Sequence, residues 1–292
     1  MAQSKKAIKL RIKSVKNTRK ITKAMELVAA SKMRRAVQSA LRSRTYAETV
    51  AEAMRSAAAS APASLKNILL TGDPKATKTL LVIFSSDRGL AGGLNVNMTR
   101  LALEFVKTTG LESVDVVAVG KKGGDAMDRA GVRVIARFGA LSNNPAYTDL
   151  LPVARLALEA FINGEYKKVV LGFTHFISGI SQKPELLDLL PMKLDQDGST
   201  HGSTPTSEEI LFEPSPKEVF DRMLPAVART MLWQSLLESG ASEHAARMLA
   251  MKNASDAAKD MLDGLTFTYN QARQAGITQE IAEISSGKAA LE

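Results

Sequence analysis

Two glycine-rich turns are the first places where this chain could do chemistry. Ser85-Ser-Asp-Arg-Gly-Leu-Ala-Gly-Gly-Leu-Asn95 follows one Val-rich run, and Gly120-Lys-Lys-Gly-Gly124 follows another. A glycine-rich link from a strand into a helix can cradle a phosphate group, because its backbone N–H groups converge on one point. Gly89, Gly92 and Gly93 match neither G-x-G-x-x-G nor G-x-x-x-x-G-K-[ST]. The first turn therefore reads foremost as structural and the second as a turn with solvated lysines, with a nucleotide or anion site as the alternative.

Other chemistry finds little support. His175, His201 and His244 are far apart and none stands at a metal-ligand spacing, so no metal is expected. No Ser/His/Asp order suggests an activated nucleophile, and the one paired carboxylate, Glu208-Glu209, sits beside a polar stretch with nothing to perturb it. The chain has no cysteine, which excludes disulfides, thiolate metal sites and thiol catalysis. No catalytic site of its own is expected.

Charge is distributed unevenly. Residues 1 to 60 hold fifteen Lys or Arg against Glu26, Glu48 and Glu52, whereas the whole chain carries +9. Such a basic arm suits an acidic protein partner, a nucleic acid or an anionic surface, or is simply a solvated face. It contains one aromatic residue, Tyr46, to stack on bases, and its charges accompany a sustained apolar stripe, which favours a protein partner over nucleic acid. The N-terminal residues lack the apolar core of a signal peptide, and no window of eighteen apolar residues occurs. An intracellular chain with no membrane span of its own is expected.

The elements that must position these residues fall into three parts. From Ser4 to Ser60 there is no Gly or Pro before Pro62, which predicts one helix of about 57 residues. Its stripe runs through Ile8, Ile12, Val15, Ile21, Met25, Val28, Val37, Leu41, Val50 and Met54, fringed by Ala29, Ala30, Ala36 and Ala40, small residues that let a second helix approach closely. A second long helix should start at Pro216, where Ser215 can cap it and Glu218 completes a capping box, and continue to about Ser286 with bends at Pro225, Gly240, Gly264 and Gly276. Between them, the runs 79–84, 114–119, 132–135 and 168–171 read as buried strands and 99–108, 124–130 and 147–163 as helices. The expected fold is α/β: a long antiparallel coiled coil of the N- and C-terminal helices plus a central Rossmann-like α/β domain with a mainly parallel sheet. The divisions follow as a shaft helix over 1–62, the α/β domain over 75–195, a polar linker over 196–214 and a second shaft helix over 215–292.

Several segments resemble a known family. Ile12-Lys-Ser-Val-Lys-Asn-Thr-Arg-Lys-Ile-Thr-Lys-Ala-Met-Glu-Leu-Val-Ala-Ala-Ser-Lys-Met-Arg-Arg35 is similar to the first shaft helix of the gamma subunits of bacterial F-type ATP synthases. Ser85 to Asn95 resembles a turn in that family's central domain. Ser242-Glu-His-Ala-Ala-Arg-Met-Leu-Ala-Met251 and Tyr269-Asn-Gln-Ala-Arg-Gln-Ala-Gly-Ile-Thr-Gln-Glu-Ile-Ala-Glu-Ile284 resemble its terminal helix. The four segments stand in the family's order along the whole chain, and one departure is Lys288 directly after Gly287.

The resemblance implies a central rotor stalk standing in a ring of three alpha and three beta subunits, with an epsilon subunit and a membrane c-ring as further partners. It implies that ATP, ADP and Mg bind the partner subunits and that this chain binds no cofactor. Proton-driven rotation would then change the conformation that each beta subunit prefers. By motif match, Met25, Arg247, Arg273, Gln274, Thr278 and Glu280 are the implied contacts of the shaft with beta and alpha, and Phe212 and Glu213 the implied foot toward the ring. The implied location is the cytoplasmic face of a bacterial inner membrane, as a peripheral protein.

Overall fold

The computed structural model describes residues 5–61, 67–139, 141, 143, 145–192 and 211–289. His201, the Glu208-Glu209 pair and most of the polar linker lie outside them. In chain order the elements are α1 (Lys5–Ser60), α2 (Ile68–Thr71), β1 (Lys78–Phe84), α3 (Leu94–Thr109), β2 (Val114–Val119), α4 (Lys121–Arg129), β3 (Arg133–Phe138), α5 (Tyr147–Ile162), β4 (Tyr166–Phe176), β5 (Gln182–Leu190) and α6 (Pro216–Ala289). α1 forms because it holds no Gly or Pro, and α6 forms in spite of Pro225 and its interior glycines, with its buried face packed on the rest of the fold. At ~1.5 Å per residue, the 56 residues of α1 and the 74 of α6 correspond to roughly 85 and 110 Å of helix. At the start of α6 the Glu218 N–H donates to the Ser215 hydroxyl at 3.3 Å, and the helix continues through Pro225 and the interior glycines.

The chain forms two compact units, Ala30–Arg247 and the paired terminal segments Met1–Ala29 and Met248–Glu292. In the larger unit the strand order is β3-β2-β1-β4-β5, parallel except for β5, which returns antiparallel along β4. Leu80, Val82, Phe84, Val117, Val119, Leu171 and Phe173 point to one face. There they pack on α5 and on Met54, Ala57, Phe220, Leu224, Ala228 and Leu232 of the long helices. Leu81, Ile83, Val116, Ala118 and Val170 point to the other face and pack on Met98, Ala102 and Val106 of α3 and Met127 of α4. Both faces being covered, the central strands β1 and β2 and the middle of β4 are nearly continuous apolar runs. Within this unit the two long helices run antiparallel. Ala40 packs with Leu237 and Ala241, Arg44 reaches Glu238, and Asn67 beyond the end of α1 reaches Asp221.

The helix seam differs from the expected stripe. Ala29 and Ala40 are buried, and so are Ile8 and Met54, but Ile21, Val28 and Leu41 are exposed. The small residues form the seam because they let a neighbouring backbone approach, while the larger residues beside them are left facing outward. In the terminal unit Ile8, Met251, Ser255 and Ala258 are buried, and Lys5 lies over Gly276.

One buried charge pins the sheet. Asp115 of β2 accepts a hydrogen bond from the Tyr166 hydroxyl of β4 at 2.9 Å, and Lys78 of β1 and Arg133 of β3 stand 3.4 and 3.9 Å from its carboxylate. The first residues of three strands thus converge on the fourth. Burial pushes the Tyr166 phenol well above its ordinary range, and the Asp115 carboxylate adds to the effect.

Candidate functional site

The first glycine-rich turn leaves β1 and the second leaves β2, at the strand ends where open α/β sheets commonly bind ligands. Here the two turns bind each other. Three N–H groups at the start of α4 are the donors a phosphate would use. The Lys121 N–H donates to the Asp87 carboxylate at 2.9 Å, that of Lys122 to the Ser86 carbonyl at 3.0 Å and that of Gly123 to the Ser85 hydroxyl at 2.8 Å. Buried Ser86 and half-buried Asn95 hydrogen-bond side chain to side chain, closing the first turn on itself.

Glycine is required at Gly120 by both backbone and space. Its φ is +99°, and a Cβ there would overlap the Ser85 carbonyl oxygen. A Cβ at Gly123 would stand 2.7 Å from the Ser85 hydroxyl. Behind the first turn, walled by Phe84, Ser86, Val119 and Leu236, the free space is about 10 Å³, which admits at most a water molecule. A larger cavity of about 240 Å³ lies between α1, α6 and the segment after β3, lined by Lys32, Arg35, Asn143, Leu237 and His244. Among the described residues no group of three or more His, Asp or Glu side chains is arranged to hold a metal ion.

Arg247 belongs to this junction. Its guanidinium donates to the carbonyl oxygens of Arg88 and Gly89 at 3.3 Å each and to buried Glu243 at 2.8 Å. It therefore fixes the outer part of the first turn to α6. Arg88 and Leu90 are exposed beside it, and Leu90 is the only non-glycine residue with positive φ among those described.

The remaining implied shaft residues lie in the terminal unit. Met25 is half-buried on α1, and Arg273, Gln274, Thr278 and Glu280 are all exposed on α6. Steps of three and four place them beside Ile277, Ile281 and Ile284, so that charged, amide and apolar groups share one open side of the helix. Ile281 is 62% exposed, Ile284 74% and Phe267 72%. On α1 the exposed residues Lys9, Lys13, Lys16 and Lys20 stand among exposed Leu10, Ile21 and Leu27. Phe212, half-buried, lies before α6 with its ring 6.1 Å from that of Phe220, and Glu213 is exposed. No described helix is long and apolar enough to cross a membrane.

Sequence reasoning passed over Asp87 and Ser85 as the groups that occupy the α4 donors. The signal was present, since Ser and Asp directly after a strand are frequent partners of nearby backbone N–H groups.

Comparison with known proteins decides the family. A family model described as ATP synthase matches residues 4–291. The ATP synthase gamma chain of Herpetosiphon aurantiacus is 42% identical over 297 residues, covering 99% of each chain. The chain belongs to the ATP synthase gamma family. The gamma chain of Aromatoleum aromaticum, another relative, is 38% identical over 291 residues, again with 99% of each covered. The fold of this gamma-family chain also matches a chain in the mitochondrial ATP synthase of Euglena gracilis, with a TM-score of 0.68 at 19% identity, covering 98% of this chain and 94% of that one. A chain in the central stalk and c-ring structure from Tetrahymena thermophila gives a TM-score of 0.58 at 24% identity, covering 80% and 99%.

Proposed function

We propose that this chain is the central rotor stalk of a proton-translocating ATP synthase, coupling rotation of a membrane ring to the conformational cycle of catalytic beta subunits. The observation that carries the proposal is its similarity to named gamma chains across nearly the whole length of both partners. Its partners are then three alpha and three beta subunits around one copy of this chain, an epsilon subunit and a c-ring. Because the named relatives are mostly bacterial, its place is the cytoplasmic face of a bacterial inner membrane.

The chain supplies asymmetry and no catalysis. ATP, ADP and Mg bind the partner subunits, and this chain holds no cofactor. Two observations support that division: the α4 donors are already taken by Ser85, Ser86 and Asp87, and the space behind the first turn has room for no more than a water. Each side of the shaft favours a different beta conformation, so turning the shaft changes which conformation has the lowest free energy at each site. Met25, Arg247, Arg273, Gln274, Thr278 and Glu280 make the shaft contacts, and Phe212 and Glu213 belong to the foot.

The exposed basic residues of α1 suit such a surface. Solvent-exposed ion pairs contribute roughly 0.2–1 kcal/mol each, weak enough to be exchanged as the shaft turns. The test is single-molecule rotation: alpha and beta subunits are immobilised with this chain carrying a bead. ATP-driven stepwise rotation in one direction is expected, and hydrolysis without rotation would reject the rotor reading.

A further inference from the structure

At its C-terminal end β4 overhangs its neighbour. β1 pairs with β4 only as far as Ile83 opposite Gly172, while β4 continues to Phe176 with β5 on its other side. Backbone groups of the overhang would lack partners on the β1 side, a costly arrangement for a buried strand. Side chains of the long helices take the place of the missing strand. The Thr174 N–H donates to the Ser239 hydroxyl at 3.2 Å, and its carbonyl accepts from the Ser242 hydroxyl at 3.0 Å. The Phe176 N–H faces the Glu238 carboxylate at 3.4 Å, and the Phe176 carbonyl faces Arg44 at the same distance.

Glu238 is the centre of this arrangement and is only 3% exposed. One carboxylate oxygen accepts from Arg44 of α1 and from Gln234 of α6, both at 2.9 Å, and the other meets the His175 ring of β4. The Gln234 amide also reaches the Ala40 carbonyl of α1 at 3.3 Å. A buried carboxylate is tolerated only when such donors surround it, and all of them must stay in place together. The site therefore joins three elements that no backbone ladder joins.

We propose that Glu238, with Arg44 and His175, is a clasp that locks the sheet to the helix pair, so that an angular displacement of the α/β domain is carried into α1 and α6 without slack. Glu238 is a positioning residue for coupling in this account, and the inference rests on the rotor reading above.

The experiment uses the assembled complex carrying wild-type chain, Glu238→Ala, the near-isosteric Glu238→Gln, or His175→Gln at the half-exposed rim of the site. Amide hydrogen exchange at Thr174 and Phe176 reports opening of the clasp. The ratio of ATP-driven proton transport to ATP hydrolysis reports coupling. Exchange at those two amides should rise about tenfold in Glu238→Ala and less in Glu238→Gln and His175→Gln, with β1 and β2 unchanged. The transport-to-hydrolysis ratio should fall in the same order while hydrolysis itself persists. If Glu238→Ala does not assemble, the two milder variants decide by the same two readouts. Faster exchange with an unaltered ratio would make the clasp merely structural, and unchanged exchange would remove it altogether. A wild-type chain that joins no ATP-hydrolysing complex would instead overturn the rotor reading, and this inference with it.

Discussion

Substituting Gly120 by alanine tests the claim that the two glycine-rich turns are built to pack on each other. Gly120 has φ +99° and a neighbouring backbone oxygen, that of Ser85, where its Cβ would stand. The unfavourable backbone region alone costs roughly 1–2 kcal/mol for an L-residue. A backbone carbonyl cannot swing aside as a flexible side chain does, so β1 and β2 must separate at their ends. That movement endangers the hydrogen bonds from Ser85 N–H to the Val119 carbonyl, 2.8 Å, and from Gly120 N–H to the Phe138 carbonyl, 2.9 Å, each worth about 1 kcal/mol net. The sum is about 3–4 kcal/mol, roughly a 5–7 °C drop in Tm for a chain of this size. Gly131→Ala is the control, since Gly131 has φ +76° with nothing within 4 Å of the added Cβ, and it should lose only about 1–2 kcal/mol. Gly89→Ala, with open space and no positive φ, should be close to neutral. Urea unfolding of the three full-length variants measures the series. Equal losses for Gly120→Ala and Gly131→Ala would refute the packing argument, leaving backbone conformation as the only cost.

Three further outcomes are expected. Tyr166→Phe removes a hydrogen bond from the buried Asp115 carboxylate and should cost about 1–3 kcal/mol in thermal unfolding at neutral pH. Because the Tyr166 pKa is raised on folding, the unfolded chain loses this proton first. Stability is therefore held below pH ~10 and falls as pH rises above it, a slope that Tyr166→Phe should lack in unfolding curves from pH 8 to 11. Ala40→Leu forces extra volume between α1 and α6, against Leu237 and Ala241, and should cost about 1–3 kcal/mol in chemical denaturation; a neutral result would place the seam elsewhere. Reversing the exposed Lys9, Lys13, Lys16 and Lys20 to glutamate should slow coupled ATP synthesis severalfold in assembled complexes, and an unchanged rate would count against charge-mediated contact.

Much of the fold was legible in local pattern. The long helices announced themselves by the lack of Gly and Pro up to Pro62 and by Ser215-Pro216 with Glu218, and four strands by their runs of Val, Ile and Leu. β5 was not, because Gln182-Lys-Pro-Glu-Leu-Leu-Asp-Leu-Leu190 carries a proline and three charges in its first seven residues. An edge strand accepts Pro184, whose missing N–H would disrupt a central one. The helix seam was legible in part. The alanines were expected to admit a second helix, and Ala29 and Ala40 are buried, but periodicity also weights large apolar residues, and Ile21, Val28 and Leu41 of that stripe are left exposed. The Glu238 site was invisible, since a glutamate on a helix looks solvated until tertiary structure brings Arg44 and His175 to it from distant segments. Of the residues carried over by resemblance, Arg273, Gln274, Thr278 and Glu280 are exposed together on α6, and the anchoring of Arg247 to the first glycine-rich turn became visible only with the fold.

The most direct test of the rotor assignment is native mass spectrometry of the complex recovered with tagged chain after gentle extraction from membranes. One copy of this chain with three copies each of two ATP-binding subunits is the expected result. A free monomer, or a complex with nucleic acid in place of those subunits, would contradict it.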